Sequence, residues 1–253
     1  MSAAYVKSQL SGQTCVIEFF HPQSNSLPGP LLSKIAEEIT IAGLDSSVKC
    51  ILLKSGGDRA FCAGASFDEL MAIESDEAGL EFFTGFAKVI NAIRKCPKFV
   101  IGRVQGKAVG GGVGIASAVD YCFATKHSAI KLSELAIGIG PFVVGPAVER
   151  KAGKSAFVEL SIDASEWRSA HWGEQKGLYN QIFENVETMD EHIQSFLGRI
   201  EKYSPEAMAE LKAVFWRGTE DWDTLLLERA KISGGLVLSD FTRSAINSFK
   251  TKS

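Results

Sequence analysis

Five of the nine residues from Gly106 to Gly114 are glycine, and this run constrains the chain more than any other feature. Glycine loses more backbone freedom on folding than any other residue. A run of it is kept where the chain must take a positive φ, or where something must approach without meeting a Cβ. The run follows an apolar β-rich segment, Phe99–Val104, and precedes the apolar Ile115–Val119, which predicts a strand turning sharply into a helix. If Gly112 opens that helix, the amides near Gly111 point outward at its positive end, a place for an anion or a developing oxyanion. The same run also serves as a tightly packed turn, and its spacing does not separate the two. It is neither G-x-G-x-x-G after a first strand nor G-x-x-x-x-G-K-[ST], so both nucleotide motifs fail.

The first half alternates strand and helix patterns. Tyr5–Leu10 and Cys15–Phe20 are β-rich runs around Ser11-Gly12-Gln13-Thr14, which predicts a hairpin. Leu31, Leu32, Ile35, Ala36, Ile39 and Ala42 have helical spacing. Val48–Lys54 reads as a strand, Ser55–Ala65 as turn-rich, and Glu77–Arg94 as a helix stopping before Pro97. This alternation predicts an α/β fold with largely parallel strands. After about residue 185 only helices follow. One starts at Ser204-Pro205-Glu206, with a serine cap, proline in the first turn and an acid at the positive end. Another carries Trp222, Leu225, Leu226, Ala230 and Ile232. The expected division is a core over 1–195 and a helical region over 196–253.

A chain of 253 residues buries a core without disulfides or structural metal. Its 27 basic and 30 acidic side chains leave a net charge of −3, and no basic stripe appears, against counterion-displacing nucleic-acid binding. No apolar run approaches the ~18 residues of a membrane span, and no signal or transit pattern opens the chain, so a cytoplasmic protein is expected. Cys15, Cys50, Cys62, Cys96 and Cys122 are isolated and read as small buried hydrophobes. His21, His127, His171 and His192 lack metal-ligand spacing, and no G-x-S-x-G marks a serine hydrolase. Trp216 and Trp222 read as core or subunit contacts. Lys107, Lys131, Lys151 and Lys154 could meet phosphates or be merely solvated.

Two further segments could carry chemistry. Phe61-Cys62-Ala63-Gly64-Ala65-Ser66-Phe67 places small residues between two aromatics. It reads as a loop lying close to something, with a helix starting near Phe67, or as an ordinary small-residue turn. Glu134 lies among apolar neighbours before Gly138 and Pro141. In an apolar pocket its pKa would rise and make it a general base; on the surface it would cap a helix.

In this order the three segments resemble the crotonase, or enoyl-CoA hydratase/isomerase, superfamily. Its members show phenylalanine then C/A-A-G-A-D, later G-x-A-x-G-G-G-x-E-L, then P-E followed by G-x-x-P. Here these stand as Phe61–Ser66, as Gly106–Ile115, and as Ser133-Glu134 with Gly138-Ile139-Gly140-Pro141. Asn25-Ser26-Leu27, Gln105-Gly106, Asp120 and Gly177-Leu178 agree. The likeness spans Val16 to Phe183, with a looser match at Ser204-Pro205-Glu206-Ala207. It implies a spiral of ββα turns, a C-terminal helical region joining subunits into trimers or hexamers, and an acyl-CoA thioester as substrate, with no separate cofactor. By motif position the amides of Ala65 and Gly111 would hold the thioester oxygen and Glu134 would be the acid–base group. Ala63, Ala65, Phe67 and Gly110 would bind the CoA part.

The chain departs from the hydratase pattern at three places. Gly114 stands where the family's first glutamate belongs, and aspartate, the dienoyl isomerase alternative, is absent there too. Ser66 replaces the usual aspartate, and Phe142-Val143-Val144 replace the glycines after the proline. One carboxylate with an oxyanion hole suffices to move a proton from C2 to C4 of a 3-enoyl thioester, and an apolar wall keeps out competing water. The expected reaction is therefore Δ3-Δ2-enoyl-CoA isomerisation. Hydration, thioester hydrolysis and decarboxylation stay open, since one fold hosts many reactions. A non-catalytic acyl-CoA-binding scaffold is the remaining alternative.

Overall fold

The computed structural model describes residues 3–250. Strands β1 (Tyr5–Ser11) and β2 (Thr14–Phe20) form the expected hairpin, with Gly12 at φ 59° in its turn. Helix α1 (Gly29–Leu44) leads to β3 (Cys50–Ser55), β4 (Ala60–Cys62), α2 (Phe67–Met71) and α3 (Asp76–Lys95). The next turn lays down β5 (Phe99–Val104), β6 (Lys107–Val109) and α4 (Gly111–Ala118). A third gives β7 (Tyr121–Thr125), β8 (Ile130–Lys131), a 3-10 turn at Leu135–Ile137, and α5 (Gly145–Ala152), α6 (Lys154–Ile162) and α7 (Ala170–Gln175). Strand β9 (Gln181–Phe183) then precedes α8 (Val186–Ile200), α9 (Pro205–Phe215), α10 (Trp222–Val237) and α11 (Asp240–Lys250).

Each turn of this spiral contributes one strand to a six-stranded sheet, one to a three-stranded sheet, and then a helix. The large sheet runs β1-β2-β3-β5-β7-β9 and the small one β4-β6-β8. All pairings after the hairpin are parallel. The inner strands β3 and β5 are buried on both faces and read as near-continuous apolar runs. One face of the large sheet packs on α1 and α3 through residues such as Ile17, Phe19, Ile35, Ile39, Val89 and Ile93. The other packs on α8 through Leu52, Ile101, Phe123, Met189 and Ile193. All five cysteines are free and buried. Among the described residues no helix is long and apolar enough to cross a membrane.

Strands end at Phe183 and helices take over at Val186, as the pattern change near residue 185 predicts. The division drawn between 195 and 196 falls within α8. Ser204 caps α9, accepting from the Ala207 amide at 3.2 Å. The side chains of Trp216 and Trp222 meet edge to face, 5.7 Å apart, inside the core. Lys212 of α9 is 2 % exposed and pairs with the buried Asp120 at 2.9 Å. The C-terminal helices therefore belong to the same packed body as the sheets.

Candidate active site

Strand β4 ends where the chain must bend, and Gly64 takes φ 97° there, a conformation open to residues without a Cβ. A strap from Asn25 to Leu27 holds the bend. The Leu27 amide donates to the Gly64 carbonyl at 2.8 Å, the Ser66 amide to the Leu27 carbonyl at 3.1 Å, and the Ser26 hydroxyl to the Ala65 carbonyl at 2.7 Å. Asn25, at φ 57°, donates from its side-chain amide to the carbonyls of Gly56 and Ala60. Ser66 caps α2 by accepting from the Glu69 amide, which explains a hydroxyl residue at this position.

The glycine run makes the second bend. Parallel pairing of β4 with β6, Cys62 opposite Ala108, sets the two bends side by side. The Gly110 amide donates to the Lys131 carbonyl at 2.9 Å, Gly110 turns at φ 52°, and α4 begins at Gly111. A Cβ on Gly112 would lie 2.5 Å from the Cys62 carbonyl oxygen, and one on Gly111 would lie 2.2 Å from the Phe86 ring. These two positions require glycine because backbone and ring already fill the space. A Cβ on Gly64 would lie 3.9 Å from the Gly111 nitrogen, so the bends touch. Neither the Ala65 nor the Gly111 amide donates a hydrogen bond to any described residue.

Glu134 follows β8 and opens the 3-10 turn, but its side chain caps nothing. The residue is half-buried; its Oε2 is sealed from solvent and has no partner among the described residues. Oε1 lies 3.0 Å from the place a Cβ on Gly110 would take, which sets the carboxyl against the second bend. Burial pushes its pKa from an ordinary 4.5 up to about 7. The apolar-pocket reading of Glu134 therefore holds over the helix-cap reading.

A cavity of about 750 Å³, its mouth included, gathers Ala63, Ala65, Phe67, Gly110, Gly111 and Glu134 on its walls. Phe142, Val143 and Val144 form another part of the lining. A Cβ on Gly114 would fall 2.4 Å from Cγ1 of Val144, so the space beside residue 114 is occupied by an isopropyl group. Sequence reasoning did not single out as lining Phe82 and Phe83 of α3, Ile137 and Ile139 by the 3-10 turn, or Ser233 of α10. The apolar stripe of α3 was the one available signal for the two phenylalanines.

The other candidates disperse. Among the described residues no cluster of His, Cys, Asp or Glu could hold a metal ion. Lys107 and Lys131 stand over the Trp167 ring, 4.9 and 5.4 Å from its centroid. Lys151 donates to the carbonyls of Val119 and Asp120, and Lys154 lies exposed.

Comparison with known proteins adds a family. The family profile described as enoyl-CoA hydratase/isomerase matches residues 9–233. The short-chain-enoyl-CoA hydratase of Clostridium acetobutylicum is 27% identical over 244 residues, covering 95% of this chain and 92% of that protein. The mitochondrial enoyl-CoA hydratase of Pongo abelii is 29% identical over 181 residues, covering 71% and 61%. The crystal structure of an enoyl-CoA hydratase from Bacillus halodurans superimposes with a TM-score of 0.89 at 20% identity, covering 96% of this chain and 99% of that one; this last likeness is one of fold.

Proposed function

The chain belongs to the enoyl-CoA hydratase/isomerase family, and we propose that it converts 3-enoyl-CoA thioesters to their 2-enoyl isomers with Glu134 as its single acid–base group. The observation that carries this reading is one carboxyl with a sealed, unpartnered Oε2 on the same cavity wall as two unengaged amides, with Val144 filling the space next to residue 114.

The thioester oxygen would sit between the amides of Ala65 and Gly111. The Glu134 carboxylate takes a proton from C2, and the electron pair moves into a dienolate whose oxygen the amides hold. The carboxylic acid so formed returns the proton at C4. The double bond has then moved from C3–C4 to C2–C3, with no net gain or loss of atoms or electrons. Preorganised donors in a dry site are each worth ~2.7–4 kcal/mol to such a charge. A base near neutrality suits both halves of the transfer, because it must give back what it takes. The apolar lining at Phe142, Val143 and Val144 keeps water from intercepting the proton. The Ala63, Ala65, Phe67 and Gly110 walls would embrace the CoA arm.

Hydration of a 2-enoyl-CoA is the second reading, favoured by the names of the relatives. Purified protein offered a 2-enoyl-CoA and a 3-enoyl-CoA in separate reactions separates the two. Formation of the 2-enoyl isomer from the 3-enoyl substrate supports isomerisation; fast formation of a 3-hydroxyacyl-CoA from the 2-enoyl substrate overturns it. Assembly into homotrimers or hexamers belongs to the same proposal and is checked by sedimentation.

A further inference from the structure

Helix α3 is a ruler along the cavity. Gly79, Phe82, Phe83 and Phe86 recur at helical spacing on one face. Phe86 abuts Gly111 at the reacting end, and Phe82 and Phe83 also line the cavity. At Gly79 helix α10 crosses so closely that a Cβ there would lie 2.7 Å from the Gly234 Cα. No side chain fits between the two backbones, and the crossing sets Ser233, next to Gly234, beside this helix. From Phe86 back to Gly79 the helix axis advances ~10 Å.

Ser233, next to Gly234, is 1 % exposed and lines this cavity. Its hydroxyl makes no hydrogen bond to any described residue, not even to the carbonyl one turn earlier that Thr40, Thr84 and Ser161 use in their helices. A buried hydroxyl left this way stays unsatisfied when an alkyl chain is laid along the wall, and gains a partner when the chain carries an oxygen. No Lys, Arg or His lines the cavity, so an anionic chain end would be buried without a counter-charge. The other unengaged hydroxyl on the wall, Ser133, adjoins Glu134 at the reacting end.

We propose that Ser233 is a specificity-determining residue that hydrogen-bonds an uncharged oxygen, hydroxyl or ketone, near the far end of the acyl chain. The substrates are then acyl-CoA thioesters oxygenated about 10 Å from the thioester carbonyl, not plain alkyl ones. This rests on the acyl-CoA reading above but not on which reaction follows.

Calorimetric titration of the full chain with unreactive saturated thioesters tests it: butanoyl-CoA, octanoyl-CoA, ω-hydroxyoctanoyl-CoA and its (ω−1)-oxo analogue. The expected result is that at least one oxygenated octanoyl thioester binds about tenfold or more tightly than octanoyl-CoA. Ser233→Ala removes that preference. Equal or tighter binding of octanoyl-CoA by the wild-type chain overturns the proposal, as does a preference that survives Ser233→Ala. If butanoyl-CoA and octanoyl-CoA bind without such a preference, only the role of Ser233 fails. If none of the four thioesters binds, the acyl-CoA reading fails with it.

Discussion

A Cβ on Gly114 would lie 2.4 Å from Cγ1 of Val144 and 2.8 Å from its Cβ. With Val144 in place, position 114 has no room for a side chain. By motif position a family glutamate would project from residue 114, and here an isopropyl group fills that space. Gly114→Glu alone should therefore destabilise the fold by ~3 kcal/mol or more, through overpacking and a buried charge. Adding Val144→Gly removes the overlap. The double variant should be more stable than the single one in denaturant titrations and should hydrate a 2-enoyl-CoA faster than the parent. A single Gly114→Glu variant as stable as the parent would show that Val144 does not guard the position.

Activity should follow the ionisation of Glu134. Its carboxyl titrates near 7 because burial disfavours the charged form, and only the carboxylate can take the C2 proton. Turnover of a 3-enoyl-CoA, measured as kcat/KM, should rise with pH through about 7 and level off above it. Glu134→Gln should lower kcat by roughly 10²–10⁴-fold and abolish that limb. Thioester binding should persist in the variant. Full activity of Glu134→Gln would show that another group takes the C2 proton; a parent that binds the thioester but turns none over would leave the acyl-CoA-binding scaffold as the better account.

The same residue should make the protein less stable at high pH. In the folded state the carboxyl holds its proton up to about 7, and in the unfolded chain only up to about 4.5. Between those values the folded form binds more protons, so stability falls as pH rises through the window. Glu134→Gln removes that loss. Its gain over the parent should be absent at pH 4, grow between about 4.5 and 7, and reach on the order of 2 kcal/mol above neutrality, allowing for the residue's partial exposure. Urea titrations of both proteins across pH measure it. A gain that is largest at acid pH would contradict a buried carboxyl.

Local signals were legible wherever a pattern is longer than a turn. The stripe on α1, the proline stop after α3 and the Ser204 cap all acted within a few residues of the feature they define. The candidate site was legible because three segments each carry unusual small or acidic residues, and parallel pairing of short strands joins them. Those strands were not legible: β4 has three residues and β8 two, too few to show alternation. Nor was the far wall of the cavity. Helical periodicity says that Phe82 and Phe83 share a face, but the partner of that face is set by Gly79 meeting Gly234 from a distant helix. The Val144–Gly114 fit is likewise invisible to local reading, since nothing in either neighbourhood names the other.

Lys212 and Asp120 should act as the clasp between the C-terminal helices and the large sheet. Lys212 reaches from α9 to the Asp120 carboxylate at 2.9 Å and to the Lys98 carbonyl at 2.7 Å. Asp120, between α4 and β7, also accepts from the Val100 amide at 2.7 Å and from the Trp216 indole at 2.9 Å. Both side chains are almost wholly buried. Lys212→Met keeps the length and apolar stem but strands the carboxylate, which should cost ~3–5 kcal/mol. Asp120→Asn should also destabilise, and the double variant should lose clearly less than the two single losses combined, because each single change orphans the partner of the other. Chemical denaturation of the four proteins, followed by far-ultraviolet circular dichroism, closes the cycle. Strict additivity would mean that packing alone holds α9 in place.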